Sequence, residues 1–303
     1  MNDYMIGVLA VLFASLVWGT TGTAATFAPE VGAAAIGAAA MGIGGLMQAG
    51  LAGRGIARAL PELRANWLLL LIGGVSVAIY PLAFYGSMRL AGVTIGTVIT
   101  IGSAPLLAAL LERVLDGTRL TARWMAGAAL GLIGMALLCI AESTGHASGG
   151  QGQVLPGVAL GLIGGLTYAV YSWAARGLML RGIRGRVAMG AVFGLGGLML
   201  MPVLIATGAP FLASWGNAAV GAYMAVVPMF LGYVAFGIGL ARIPASTATT
   251  ISLSEPVIAA MLAIAIVGER LVPMGWAGVG LIVACLAVIT LPARLWSRRV
   301  AVA

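Results

Sequence analysis

Charged side chains are scarce in this sequence: they make up 8% of its 303 residues, where a soluble domain carries about a quarter. Lysine is missing altogether, and all sixteen cations are arginine. The one histidine, His146, lies in a Gly/Ser-rich stretch, and the two cysteines, Cys139 and Cys285, lie inside apolar runs. Such sparse material leaves almost nothing from which to build a histidine-based catalytic or metal site. The cysteines read as small packing residues rather than as a disulfide or metal pair. No G-x-x-x-x-G-K-[ST] loop is present, which excludes direct use of ATP through that motif. No cofactor and no metal are expected.

What is abundant is apolar surface. Hydrophobic residues make up 61% of the chain and its mean hydropathy is +1.09. No water-soluble packing hides that much, so the solvent is a bilayer. Sixteen Arg against eight acids give a net charge of +8, which in a soluble protein would suggest nucleic acid. Here the arginines fall in short loops, so they reflect membrane topology and not a nucleic-acid surface.

Apolar runs of about 20 residues cross the hydrocarbon core as helices. The sequence predicts ten, near 4–27, 33–52, 66–90, 93–115, 122–141, 154–174, 186–206, 216–241, 244–267 and 274–293. The start, MNDYM, lacks a basic n-region, so the first run is expected to span rather than to act as a signal peptide. With the N-terminus inside, only Arg89 and Arg270 lie outside and the other fourteen arginines inside. That bias predicts both termini cytoplasmic. Trp67, Trp215 and Trp296 stand near loops, as interface anchors do.

The chain also repeats itself. Residues 80–140, shifted by 151, align without a gap to 231–291. Pro105 then matches Pro256, and Gly117, Arg119 and Leu120 match Gly268, Arg270 and Leu271. Each unit holds five predicted helices, 1–145 and 154–303, joined by a linker at 146–153 that is expected to be periplasmic. An odd number of helices makes the second unit enter from the opposite side. Inverted repeats of this kind place a site at their interface, near mid-bilayer.

The motif P-x-x-A-A-x-L at 105–111 and again at 256–262, with G-E-R-L at 268–271, resembles the EamA-type exporters of the drug/metabolite transporter superfamily. The resemblance covers nearly the whole chain. It implies an all-α, ten-helix protein of the bacterial inner membrane that exports small metabolites, amino acids and aromatic ones foremost. It departs from the pattern at Thr118, where the second half carries Glu269.

Glu255 poses the sharpest question. It lies about 11 residues into its predicted span, roughly 16 Å at the helical rise. An isolated charge there costs about 2.5–3.5 kcal/mol on insertion scales. The carboxyl therefore either carries a proton or faces water and polar partners. Two roles are open to it. It lines a solute path, holding an ammonium or taking up a coupling proton, or it stays neutral and locks a kinked helix. Pro256 follows it directly. With Pro81, Pro105 and Pro228 it makes four candidate kinks, since proline removes a donor and clashes one turn back.

Other candidates follow from spacing. Thr94, Thr97, Thr100 and Ser103 recur every third residue, as do Ser246, Thr249 and Ser252 in the repeat partner. They form polar stripes that serve either a cavity or helix packing. Trp18, Tyr80 and Tyr168 lie deeper in their spans, and with Phe84 and Tyr233 they are candidates to line a pocket for an aromatic or bulky apolar solute. Gly157, Gly161 and Gly165, spaced by four, let helices approach closely. Glu112, Arg113 and Asp116, at the inner end of the fourth span, read as a solvated patch. They are the one cluster on which an intramembrane enzyme would have to draw. A passive channel is the other alternative to a carrier, and no oligomer is required.

Overall fold

The computed structural model describes residues 2–143, 154–262, 264–265 and 272–290. The described residues form an all-helical bundle. Its helices are α1 (Asp3–Ala25), α2 (Ala33–Arg58), α3 (Trp67–Ala91), α4 (Val93–Leu115) and α5 (Ala122–Ser143), then α6 (Val154–Leu180), α7 (Gly185–Thr207) and α8 (Trp215–Leu240). Helix α9 runs over 245–262 in two pieces, and α10 is Pro273–Thr290. Eight of these are long and apolar enough to cross a membrane. Of the other two, α5 has a shorter apolar part, Ala122–Leu138, and α9 is broken. The predicted linker with His146, the Glu269–Arg270 pair and the C-terminal residues with Trp296 lie outside the described residues.

Leu9, Phe13 and Leu16 on α1 face outward, as do Leu106 and Leu110 on α4, while many Ala, Ser and Thr lie in the interior beside larger side chains such as Tyr171, Phe193 and Phe236. That arrangement suits a bilayer, because lipid tails are as apolar as leucine and helix association depends on close approach. The glycines of α6 do this. A Cβ on Gly157 would stand 2.5 Å from the Cβ of Ala91, and one on Gly161 2.8 Å from Ile99. Between α3 and α4 only Gly92 remains, at φ +90°, where a side chain would be strained.

The packing partners are paired across the repeat. Helix α2 packs on α7, α4 on α9 and α5 on α10, and the α3–α6 contact has its counterpart in α8–α1.

The prolines act differently from one another. Helical structure runs unbroken through Pro81 in α3 and Pro105 in α4. Pro228 sits in a π-helical turn, Ala225–Gly232, and a second π turn, Ala38–Ile43, packs against it from α2. Helix α9 breaks: Ala245–Ile251 gives way to a 3₁₀ turn, Ser252–Ser254, before Glu255–Leu262 resumes. The cause is local. Pro256 has no N–H to offer the Ser252 carbonyl, so the Glu255 N–H donates to it instead, one residue early. Glu255 and Pro256 then become the first two residues of a new helix, where proline is tolerated. Pro202, inside α7, is a fifth intrahelical proline that the sequence reading did not single out.

Candidate functional site

A narrow cavity lies between α1, α2, α3, α6, α8 and α9, toward the end of α1 that is far from Tyr4. It holds about 460 Å³ of empty space, counting its mouth. Helix α1 contributes Trp18 and Thr21, α3 contributes Tyr80, Pro81, Phe84 and Tyr85, and α6 contributes Tyr168. Met229 and Tyr233 close it from α8, and Glu255 from α9. The α2 wall is Gly37, Ala40 and Met41, partly from the π turn.

The rings form one connected array. Tyr80 stacks on Phe84 at 5.7 Å between centroids and tilts against Tyr168 at 5.5 Å, and Trp18 lies 4.7 Å from Tyr233. Hydrogen bonds fix several of them. The Trp18 indole donates to the Pro228 carbonyl at 2.9 Å, inside the π turn. Tyr168 donates to Ser252 Oγ at 3.0 Å, and Ser252 donates on to the Thr249 carbonyl at 2.8 Å. The Tyr171 and Tyr233 hydroxyls share a hydrogen bond of 2.8 Å. The π turn at Pro228 and the 3₁₀ turn at Ser252 thus each hold a ring in place. Gly232 lets the indole come in, since a Cβ there would meet Trp18 Nε1 at 2.8 Å.

Glu255 is half-buried and lines this cavity. Among the described residues its carboxylate makes no hydrogen bond and no ion pair. The hydroxyls beside it in sequence do not turn to it: Ser254 donates to the Ile251 carbonyl at 2.8 Å and Ser252 to Thr249. A carboxylate placed this way has to find its partner in water, in a proton or in a bound solute.

Of the ten residues predicted to bind a solute, the structure brings together Trp18, Tyr80, Phe84, Tyr168, Tyr233 and Glu255. Thr97, Thr100, Ser103 and Ser252 do not line the cavity. Thr97 points to Met88 Sδ at 3.6 Å, and Ser103 donates to the Thr100 carbonyl at 3.4 Å. Thr100 is buried without a partner among the described residues, against Gly164 of α6. Ser252 reaches the cavity only through Tyr168. Of the four prolines, Pro81 lines the wall directly.

Sequence reasoning did not place Thr21, Gly37, Ala40, Met41, Tyr85 or Met229 in the site. A run of Ala and Gly such as AAAIGAAAMG in α2 gives no sign that one face meets a cavity. Gly37 matters there because a Cβ on it would meet Tyr85 at 2.9 Å and Pro81 at 3.0 Å.

The reading of Glu112, Arg113 and Asp116 as a solvated patch is corrected for Glu112, while Arg113 and Asp116 are exposed. Glu112 is buried, 5% exposed, and caps the start of α9. Its Oε1 accepts from the Ala245 N–H at 2.6 Å and its Oε2 from Ser246 Oγ at 2.5 Å. Arg176 donates to the carbonyls of Leu240 and Ile243 beside it, and the Trp173 indole donates to Asp116 at 2.8 Å. These are the bonds that join the arginine-rich ends of α4, α6, α8 and α9. No group of three His, Cys, Asp or Glu that could hold a metal occurs among the described residues.

Comparison with known proteins adds independent findings. The model of the EamA-like transporter family matches twice, at residues 5–140 and at 155–291. An uncharacterized transporter of Bacillus subtilis (strain 168), YwfM, is 32% identical over 282 residues, covering 93% of each chain. A protein of Streptantibioticus cattleyicolor named a probable terminal-alkyne amino-acid exporter is 26% identical over 220 residues, or 72% of this chain and 71% of its own. A solved crystal structure of a protein at 22% identity overlays with a TM-score of 0.73, covering 97% of this chain and 98% of its own. At that identity the likeness speaks for the fold.

Proposed function

The chain belongs to the EamA-like transporter family, and from that premise we propose that it is a secondary carrier exporting small metabolites. Amino acids are the proposed solutes, those with aromatic or bulky apolar side chains in particular. The carrier alternates access through the cavity of Trp18, Tyr80, Phe84, Tyr168, Tyr233 and Glu255. The one observation that carries this is the half-buried carboxylate of Glu255, unpaired among the described residues and set in a ring-lined cavity.

Three further features support the reading. The helices that line the cavity come from both matched segments, and helices pair across the repeat. That fits two inverted halves, 1–145 and 154–303, which rock about a shared site. The breaks at Pro228 and Pro256 lie beside the lining rings, where rigid helices would resist such motion. The name of the Streptantibioticus relative supports an amino acid as solute. Thr97, Thr100, Ser103 and Ser252 serve packing and ring placement in this reading, and Pro81, Pro105, Pro228 and Pro256 shape the helices that move. The arginine bias supports the bacterial plasma membrane with both termini cytoplasmic.

Purified protein in liposomes, given labelled phenylalanine, tryptophan and leucine with unlabelled competitors, tests this. A carrier saturates and shows competition, whereas linear uptake without competition would mean a channel. Glu255→Gln is expected to abolish transport or flatten its response to pH. An unchanged rate and pH profile removes Glu255 from the mechanism.

A further inference from the structure

The cavity has an uneven stock of donors and acceptors. Arginine, lysine and histidine are all missing from the residues that line it. Its hydrogen-bond donors are mostly occupied: the Trp18 indole by Pro228, the Thr21 hydroxyl by the Trp18 carbonyl at 2.7 Å and Tyr168 by Ser252. Tyr233 shares its bond with Tyr171. Only the neutral phenols of Tyr80 and Tyr85 remain. On the acceptor side stand the Glu255 carboxylate and the faces of the aromatic array, which attract cations by their quadrupoles.

The broken helix does not redress this. Half-helix N-termini in transporters can hold an anionic group, because their N–H groups and dipole point at it. Here the half-helix Glu255–Leu262 begins with a carboxylate and then a proline. The acid already offsets the positive end of the dipole, and the proline has no N–H to give.

We infer that the site recognises the ammonium end of its solute and provides no ionic or helix-end partner for a carboxylate. Arylalkyl amines are therefore ligands as good as the corresponding amino acids. This rests on the cavity being the solute site, as proposed above, and narrows the solute class to cations and zwitterions held by their amine.

The test uses the full-length protein purified in detergent and equilibrium binding of phenethylamine, phenylalanine and N-acetylphenylalanine. Phenethylamine is expected to bind at least as tightly as phenylalanine. N-acetylphenylalanine, which keeps the ring and carboxylate but loses the cation, is expected to bind weaker by about tenfold or more, the loss of one cation contact. Glu255→Gln should weaken phenethylamine to a similar degree, and Glu255→Asp, which keeps the charge, should retain most of the binding. Binding of phenylalanine without phenethylamine overturns the inference and leaves the carrier reading intact, as does unchanged phenethylamine binding by Glu255→Gln. Failure of all three compounds to bind overturns the inference together with the aromatic-solute reading on which it rests.

Discussion

Single side chains in this bundle carry large consequences, because a buried polar group in lipid has few alternative partners. Glu112 is the case outside the cavity. Its carboxylate satisfies the Ala245 N–H and the Ser246 hydroxyl at the start of α9. Glu112→Ala orphans both and is expected to cost about 2–3 kcal/mol, while Glu112→Gln keeps one acceptor and costs about 1 kcal/mol. Thermal unfolding in detergent reads the difference, and equal melting of the two variants would contradict the capping role. Trp18→Phe keeps the ring contact with Tyr233 but removes the bond to Pro228. It is expected to lower stability by about 1–2 kcal/mol and to lower the affinity for an aromatic solute measured in the same preparation. That Trp18, Tyr80, Tyr168 and Glu255 stand inside apolar runs was legible in the sequence. That Glu112 is buried was not, because its partners lie more than 130 positions away.

At the scale of a helix, proline gives three different outcomes from one chemistry. Pro105 and Pro256 occupy equivalent places in the repeat, yet α4 continues and α9 breaks. The repeat in the sequence predicts the same perturbation in both. The difference is in the neighbours: Ile101 and Ala104 of α4 are replaced by Ser252 and Glu255 in α9, where the Ser252 hydroxyl donates to the Thr249 carbonyl and the Glu255 N–H to the Ser252 carbonyl. Pro256→Ala restores the missing N–H and is expected to let α9 run straight. The melting temperature should hold or rise slightly while transport slows, by about tenfold if the break contributes about 1.4 kcal/mol to the rate-limiting step. Unaltered turnover would show that the break is only structural. Arginine has an element-scale role as well. Arg176, Arg123 and Arg242 donate to carbonyls at the ends of α8 and α10, so the same residues that bias topology also cap helices.

Across the whole molecule, helices approach as closely as their glycines permit. Where α5 crosses α10, a Cβ on Gly134 would stand 2.7 Å from the Gly278 carbonyl, and one on Gly278 2.6 Å from that of Gly134. Gly278→Ala is therefore expected to destabilise by about 1–3 kcal/mol through overpacking. Gly280, on the same helix, faces open space, so Gly280→Ala is neutral or stabilising by up to about 1 kcal/mol. Melting curves of the two variants, two positions apart, separate close packing from simple helix propensity. The Gly157, Gly161 and Gly165 series was visible as spacing, and its use against α3 and α4 is what the structure adds.

Composition and pattern alone determined that this chain lives in a bilayer as a helical bundle with two related halves, because those properties depend on runs and periods within one segment. They also marked Glu255 as a residue with an unusual cost. Tertiary structure decided which polar groups share a wall. Ser103 of α4 and Thr249, Thr250, Ser252 and Ser254 of α9 donate to their own backbones, whereas rings from α1, α3, α6 and α8 gather round the Glu255 carboxylate. Helical spacing says which residues share a face, but only the packing of one helix on another says what that face meets.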